Sequence, residues 1–92
     1  METETTNLNR LLLNEIGIIE ELKCEGNIRR RLLDMGLVKG TKIKPVLVSP
    51  SKDPRAFEVR GSIIAIRKED AKNIYVSLNG DIQNWHNLVK ML

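Results

Sequence analysis

The residues best suited to covalent chemistry are a single thiol and a single imidazole, Cys24 and His86, far apart in the chain. A nucleophilic thiol needs a base beside it and a third group to orient that base. The spacing suggests no third group, and no catalytic or phosphate-cradling motif such as G-x-x-x-x-G-K occurs. Cys24 therefore reads as an ordinary strand-end residue and His86 as a solvent-side residue of a C-terminal segment, and enzymatic activity is not expected. Transition metals favour clustered His, Cys and carboxylate ligands. Here Cys24, Glu25, His86 and the acidic pairs Glu20-Glu21 and Glu69-Asp70 are scattered, and the acidic pairs read as solvated surface. No metal ligand set can be assigned.

The charged and turn-forming residues that remain must be positioned by local structure. Ile16 to Leu22 reads as a first strand, with Gly17 permitting a bend or bulge, although LLLNEIGIIEELK could equally begin as a helix. From Asn27, a plausible N-cap, Ile28, Leu32 and Met35 recur at i, i+4 and i+7, and Gly36 supplies the left-handed residue that ends a helix of about two turns. That helix carries Arg29, Arg30, Arg31 and Asp34. After a turn at Val38 to Thr41, Lys42 to Ser49 reads as a strand that Pro45 places at an edge or bends. Pro50 to Pro54 forms a polar corner, with Asp53 accepting local backbone bonds. Ala56 to Arg60 alternates with Phe57 and Val59 inward, Gly61-Ser62 turns, and Ile63 to Arg67 looks suited to burial on both sides. A helical turn at Lys68 to Ala71 leads into a last strand at Ile74 to Leu78. Five short strands with one helix in the first connection describe a mainly β protein, a small SH3-like barrel.

The run from Arg31 to Arg67 resembles the FeoA family of small accessory proteins of bacterial ferrous iron uptake. The matching residues are Arg31, Leu32, Leu33, Asp34, Met35, Gly36 and Leu37, then Gly40 and Thr41, then Pro50, Asp53 and Pro54, then Arg60, and finally Ala65, Ile66 and Arg67. The likeness extends over residues 12 to 78, leaving 1 to 11 as an N-terminal tail and 79 to 92 as a helical extension. It implies the same SH3-like fold and a cytosolic, non-enzymatic role: binding, and regulating or assembling, a membrane ferrous-iron transporter through its GTPase region. The contact is expected on Arg29, Arg30, Arg31 and Asp34 of the helix and on Pro50, Asp53 and Pro54 of the corner. No cofactor is expected to be required, with ferrous iron or zinc bound weakly at most. Two departures from the family pattern are Pro45 in the second strand and Ser51-Lys52 at the tip of the corner.

Composition bounds these readings. A chain of 92 residues with 41% hydrophobic content makes one small domain, near the size at which a partner or a second copy adds useful stability. One cysteine excludes an internal disulfide, no apolar run spans a bilayer, and the polar, acidic start METETTNLNR lacks the pattern of a signal peptide, so the chain reads as cytosolic. A net charge of +3 from 15 basic and 12 acidic residues is mild and interspersed, which argues against nucleic acid as the partner. Aromatics at 3% are too few for a polyproline groove. In the C-terminal segment Ile82, Trp85, Leu88 or Val89, and Leu92 fall on one helical face. That amphipathic helix either folds back over an open side of the barrel or serves in docking or dimerisation, with Trp85 as anchor. A metal-responsive dimer and, further off, a nucleic-acid-binding barrel are the alternative functions.

Overall fold

The computed structural model describes residues 5–47 and 53–78. Its strands are β1 (Thr5–Asn7), β2 (Gly17–Leu22), β3 (Lys42–Leu47), β4 (Arg55–Val59), β5 (Ser62–Ile66) and β6 (Ile74–Ser77). Helix α1 (Gly26–Asp34) joins β2 to β3, the short α2 (Lys68–Ala71) joins β5 to β6, and a 3₁₀ turn, Leu8–Arg10, follows β1. All strands form one antiparallel sheet in the order β1-β6-β2-β3-β4-β5. The sheet curls around Phe57, Ile43, Ile19, Val76 and Ile74, which are fully buried.

Its two ends are drawn together by Arg55. The guanidinium donates to the Asn9 carbonyl at 3.3 Å and the Leu11 carbonyl at 3.0 Å while lying 5.3 Å from the Phe57 ring centre. Asn9 Nδ2 in turn donates to the Lys68 carbonyl at 3.0 Å, so the turn after β1 is tied to α2 after β5. Leu8 and Leu11, at 0% and 2% exposure, complete the core from residues that the sequence reading assigns to a tail. A strand spelled Thr-Thr-Asn carries no apolar alternation, so β1 is invisible until β6 offers it a partner.

The remaining differences are local. Helix α1 begins at Gly26 with Glu25 at its cap and no side-chain capping bond, so Asn27 is inside the helix and does not cap it. Its end is as expected: Gly36 has φ +101°, Gly36 N donates to Leu33 O at 3.0 Å and Leu37 N to Leu32 O at 3.0 Å. These two bonds make a Schellman motif, closed by the buried side chains of Leu32 and Leu37. Strand β3 lies inside the sheet, not at its edge. Pro45 is tolerated because the β2 ladder covers only Ile43 and Lys42, and the β4 ladder shifts register between Pro45 and Leu47. The bend expected at Gly17 comes instead between Ile19 and Glu21, where the pairing with β6 slips. The β4–β5 turn is Arg60-Gly61, with φ of 53° and 83°, one residue before Gly61-Ser62. Strand β5 is the other edge of the sheet and is not buried on both sides: Ile63 is 61% exposed because its register opposite Glu58 puts it on the outer face. The C-terminal helix proposed after Gly80 lies outside the described residues.

Candidate protein-docking site

Helix α1 divides its charges between two surfaces. Ile28, Leu32 and Met35 point toward the barrel, and Arg31 stands at their edge, as the i, i+4, i+7 spacing requires. Together with Ala65 and Ile66 of β5, they line a groove of about 560 Å³. Arg67, Glu69 and Asp70 rise along its side, and Pro54 closes it. The corner is held in place by Asp53, whose Oδ1 accepts a 2.9 Å hydrogen bond from Lys68 N in the first turn of α2. Helix α1 and Pro54, a score of residues apart in the chain, thus meet at one concave surface. Its floor is aliphatic and its rim carries Arg31 and Arg67 against Glu69 and Asp70. Arg67 and Glu69 approach only to 3.9 Å and are largely exposed, leaving both available to a charged ligand.

Arg29, Arg30 and Asp34 are not part of that groove. They bound a separate shallow depression of about 250 Å³ with Gly26 and Leu33, on the other side of the helix. Three successive arginines span most of a helical turn, so one surface cannot use all of them. Pro50, Ile82, Trp85, Leu88 and Val89, and with them His86, lie outside the described residues.

The sequence reading missed Glu69 and Asp70 as part of this surface, because nothing local says that α2 faces α1. Ala65, Ile66 and Arg67, which the sequence offers as strand residues and as part of the family resemblance, stand beside Pro54 on this surface. Arg60 has a structural explanation as well: its side chain crosses Gly36, and a Cβ built there would stand 3.0 Å from Arg60 Cδ.

Chemistry other than docking finds little support among the described residues. Cys24 is buried just before α1; burial pushes its thiol up, a backbone hydrogen bond opposes this, Asp70 adds to the rise and Arg29 counters it. A thiol held protonated at neutral pH is a poor nucleophile and a poor metal ligand. No three His, Cys, Asp or Glu side chains among the described residues converge in a way that could hold a metal ion. No helix among them is long and apolar enough to cross a membrane.

The described residues thus form a small curled antiparallel sheet with an aliphatic groove between a helix and an edge strand. Comparison with known proteins places it more narrowly. The FeoA domain matches residues 6–78, and the chain belongs to the FeoA family. A curated relative from Porphyromonas gingivalis, an Fe(2+) transport protein A/Fe(2+) transporter FeoB fusion protein, is 32% identical over 71 residues. That match takes in 77% of this chain but only 8% of the relative's length. The solution structure of iron(II) transport protein A from Clostridium thermocellum superposes with a TM-score of 0.76 at 32% identity, covering 82% of this chain and 46% of the other. A zinc-complexed FeoA from Stenotrophomonas maltophilia, described as a prokaryotic SH3 domain protein, gives a TM-score of 0.67 at 29% identity, covering 77% and 88% of the two chains. The mainly β, SH3-like fold expected from the strand pattern is the fold observed.

Proposed function

We propose that this chain is a cytosolic, non-enzymatic accessory protein of ferrous iron transport that binds the GTPase region of a membrane ferrous-iron transporter and regulates or assembles it. The groove that joins α1 to the Pro54 corner carries this reading, because it brings the helix and the corner to one concave surface. The fusion of the two proteins in Porphyromonas gingivalis supports the partnership, since a shared chain keeps both at high effective concentration. In this reading Ile28, Leu32 and Met35 receive an apolar anchor of the partner, while Arg31 and Arg67 engage acidic groups at the rim. No cofactor takes part; the zinc seen with the Stenotrophomonas maltophilia protein makes ferrous iron or zinc a weak ligand to be tested separately.

The test is calorimetric titration of the full chain into the purified GTPase region, with and without guanine nucleotide. Saturable binding that Arg31→Glu weakens, with the fold intact by circular dichroism, supports the groove. Binding that responds to Arg29→Glu or Arg30→Glu and ignores Arg31→Glu moves the contact to the opposite face of α1. Absence of binding in every nucleotide state overturns the partnership.

A further inference from the structure

We propose that the turn bearing Leu12 and Leu13 is a membrane-surface contact, seating this face of the domain on an anionic lipid headgroup layer. Leu12 is 71% exposed and Leu13 is 49% exposed. The other large apolar side chains exposed among the described residues, Val38 and Ile63, are separate from them in the chain, whereas these two are adjacent. Looseness of the loop does not account for their exposure. Leu12 N donates to Glu15 Oε1 at 2.9 Å, Glu15 N donates to Leu12 O at 2.9 Å, and Asn14 N donates to the Pro45 carbonyl at 2.8 Å. Asn14 takes up the left-handed corner with φ 67°, and Leu11, immediately before the pair, is locked in the core at 2% exposure. A turn pinned to both the core and β3 therefore holds two leucines out in water, where burying them elsewhere would be favourable.

The surrounding charge selects the occupant. Exposed Arg10 ends the 3₁₀ turn just before the leucines. Just after them, Ile16 shares a shallow depression with Lys42, Lys44 and Arg60. Two acids lie nearby: Glu15, whose carboxylate accepts from the Leu12 amide, and Glu58, which also lines the depression and pairs with Lys44 Nζ at 3.4 Å, so Arg10, Lys42 and Arg60 are the cations left in excess. Adjacent aliphatic side chains flanked by an excess of cations suit the headgroup region of an anionic bilayer, into which leucines dip while lysine and arginine meet phosphates. Such a contact is superficial and reversible, and it would hold the domain at the membrane where its proposed transporter partner resides.

The experiment is flotation of the full chain with vesicles of phosphatidylglycerol and phosphatidylcholine in equal parts, against phosphatidylcholine alone. The parent should float with the anionic vesicles, and added salt should release it. Leu12→Ser/Leu13→Ser, with unchanged circular dichroism, should lower apparent affinity about tenfold or more, and Lys42→Glu about fivefold. Failure of the parent to float with anionic vesicles overturns the proposal, as does equal flotation of the double serine variant. If that variant instead loses calorimetric affinity for the GTPase region while floating like the parent, the leucines contact protein and the membrane assignment is wrong.

Discussion

Gly17 is a position where one added methyl group meets the packed core directly. A Cβ there would stand 3.0 Å from Leu11 Cδ1 and 3.1 Å from both Cβ and Cγ2 of Val76. Carbon atoms pack comfortably at about 3.5–4.0 Å, so the methyl lacks roughly half an ångström against each neighbour. Leu11 and Val76 are almost wholly buried, at 2% and 0% exposure, and Val76 is held by its strand on both sides in β6. Relief must come from an off-rotamer Leu11 or a shift of β2 against β6. Overpacking of this kind costs about 1–3 kcal/mol. Alanine returns about 0.4–1 kcal/mol by stiffening the unfolded chain, and each kcal/mol lowers Tm by about 4–8 °C for a domain of this size, so with Leu11 and Val76 both locked in the core Gly17→Ala should still melt a few degrees below the parent. Urea denaturation followed by far-ultraviolet circular dichroism measures the free energy directly. Leu11→Ala alone should cost about 2–5 kcal/mol by leaving a cavity. The double variant should cost less than the sum by about 1 kcal/mol, since the new methyl occupies part of that cavity. A Gly17→Ala protein within about 0.5 kcal/mol of the parent, or strict additivity in the pair, would refute the packing argument.

Other outcomes follow from the same structure. Arg55→Met should destabilise by about 1.5–3 kcal/mol, because charge-assisted bonds to the Asn9 and Leu11 carbonyls are lost together; Arg55→Lys should recover little, since an ammonium cannot reach both as a fork. Denaturant titration distinguishes the two. Cys24 should react slowly with a disulfide probe in the native protein and rapidly in urea, because burial disfavours the thiolate. Its raised native pKa stabilises the fold below the unfolded-state thiol pKa, and this stabilisation is lost as pH rises toward the native value; a Cys24→Ser protein should show a smaller loss of stability over that alkaline range. On α1, Arg31→Glu should weaken binding to the GTPase region about tenfold through the groove rim, while Arg30→Glu, on the opposite depression, should leave it within about twofold; calorimetry reads both.

Much of the fold was legible in order along the chain. The end of α1 could be read because Gly36 follows a helical apolar period, and the Schellman bonds occur where that glycine requires them. Phe57 and Val59 could be assigned inward because strict alternation leaves one choice. What escaped were elements defined by partners and not by their own pattern. The polar β1 exists because β6 offers it a side to pair with, and Ile63 is exposed because its register opposite Glu58 puts it on the outer face of β5. Gly17 was legible as a glycine but not as the space that Leu11 and Val76 fill.

The candidate site divides in the same way. The helix and the proline corner were each recognisable as local features carrying Arg31, Asp53 and Pro54. Their meeting, and the exclusion of Arg29, Arg30 and Asp34 from the groove, depended on α1 crossing the barrel beside the end of β5. By itself the sequence determined the periodicities, the helix stop and the turns, because those depend on interactions within a few residues. Tertiary structure alone decided which edge strands remain open, which arginine faces the groove and which leucines stay in water, because those depend on contacts between segments far apart in the chain.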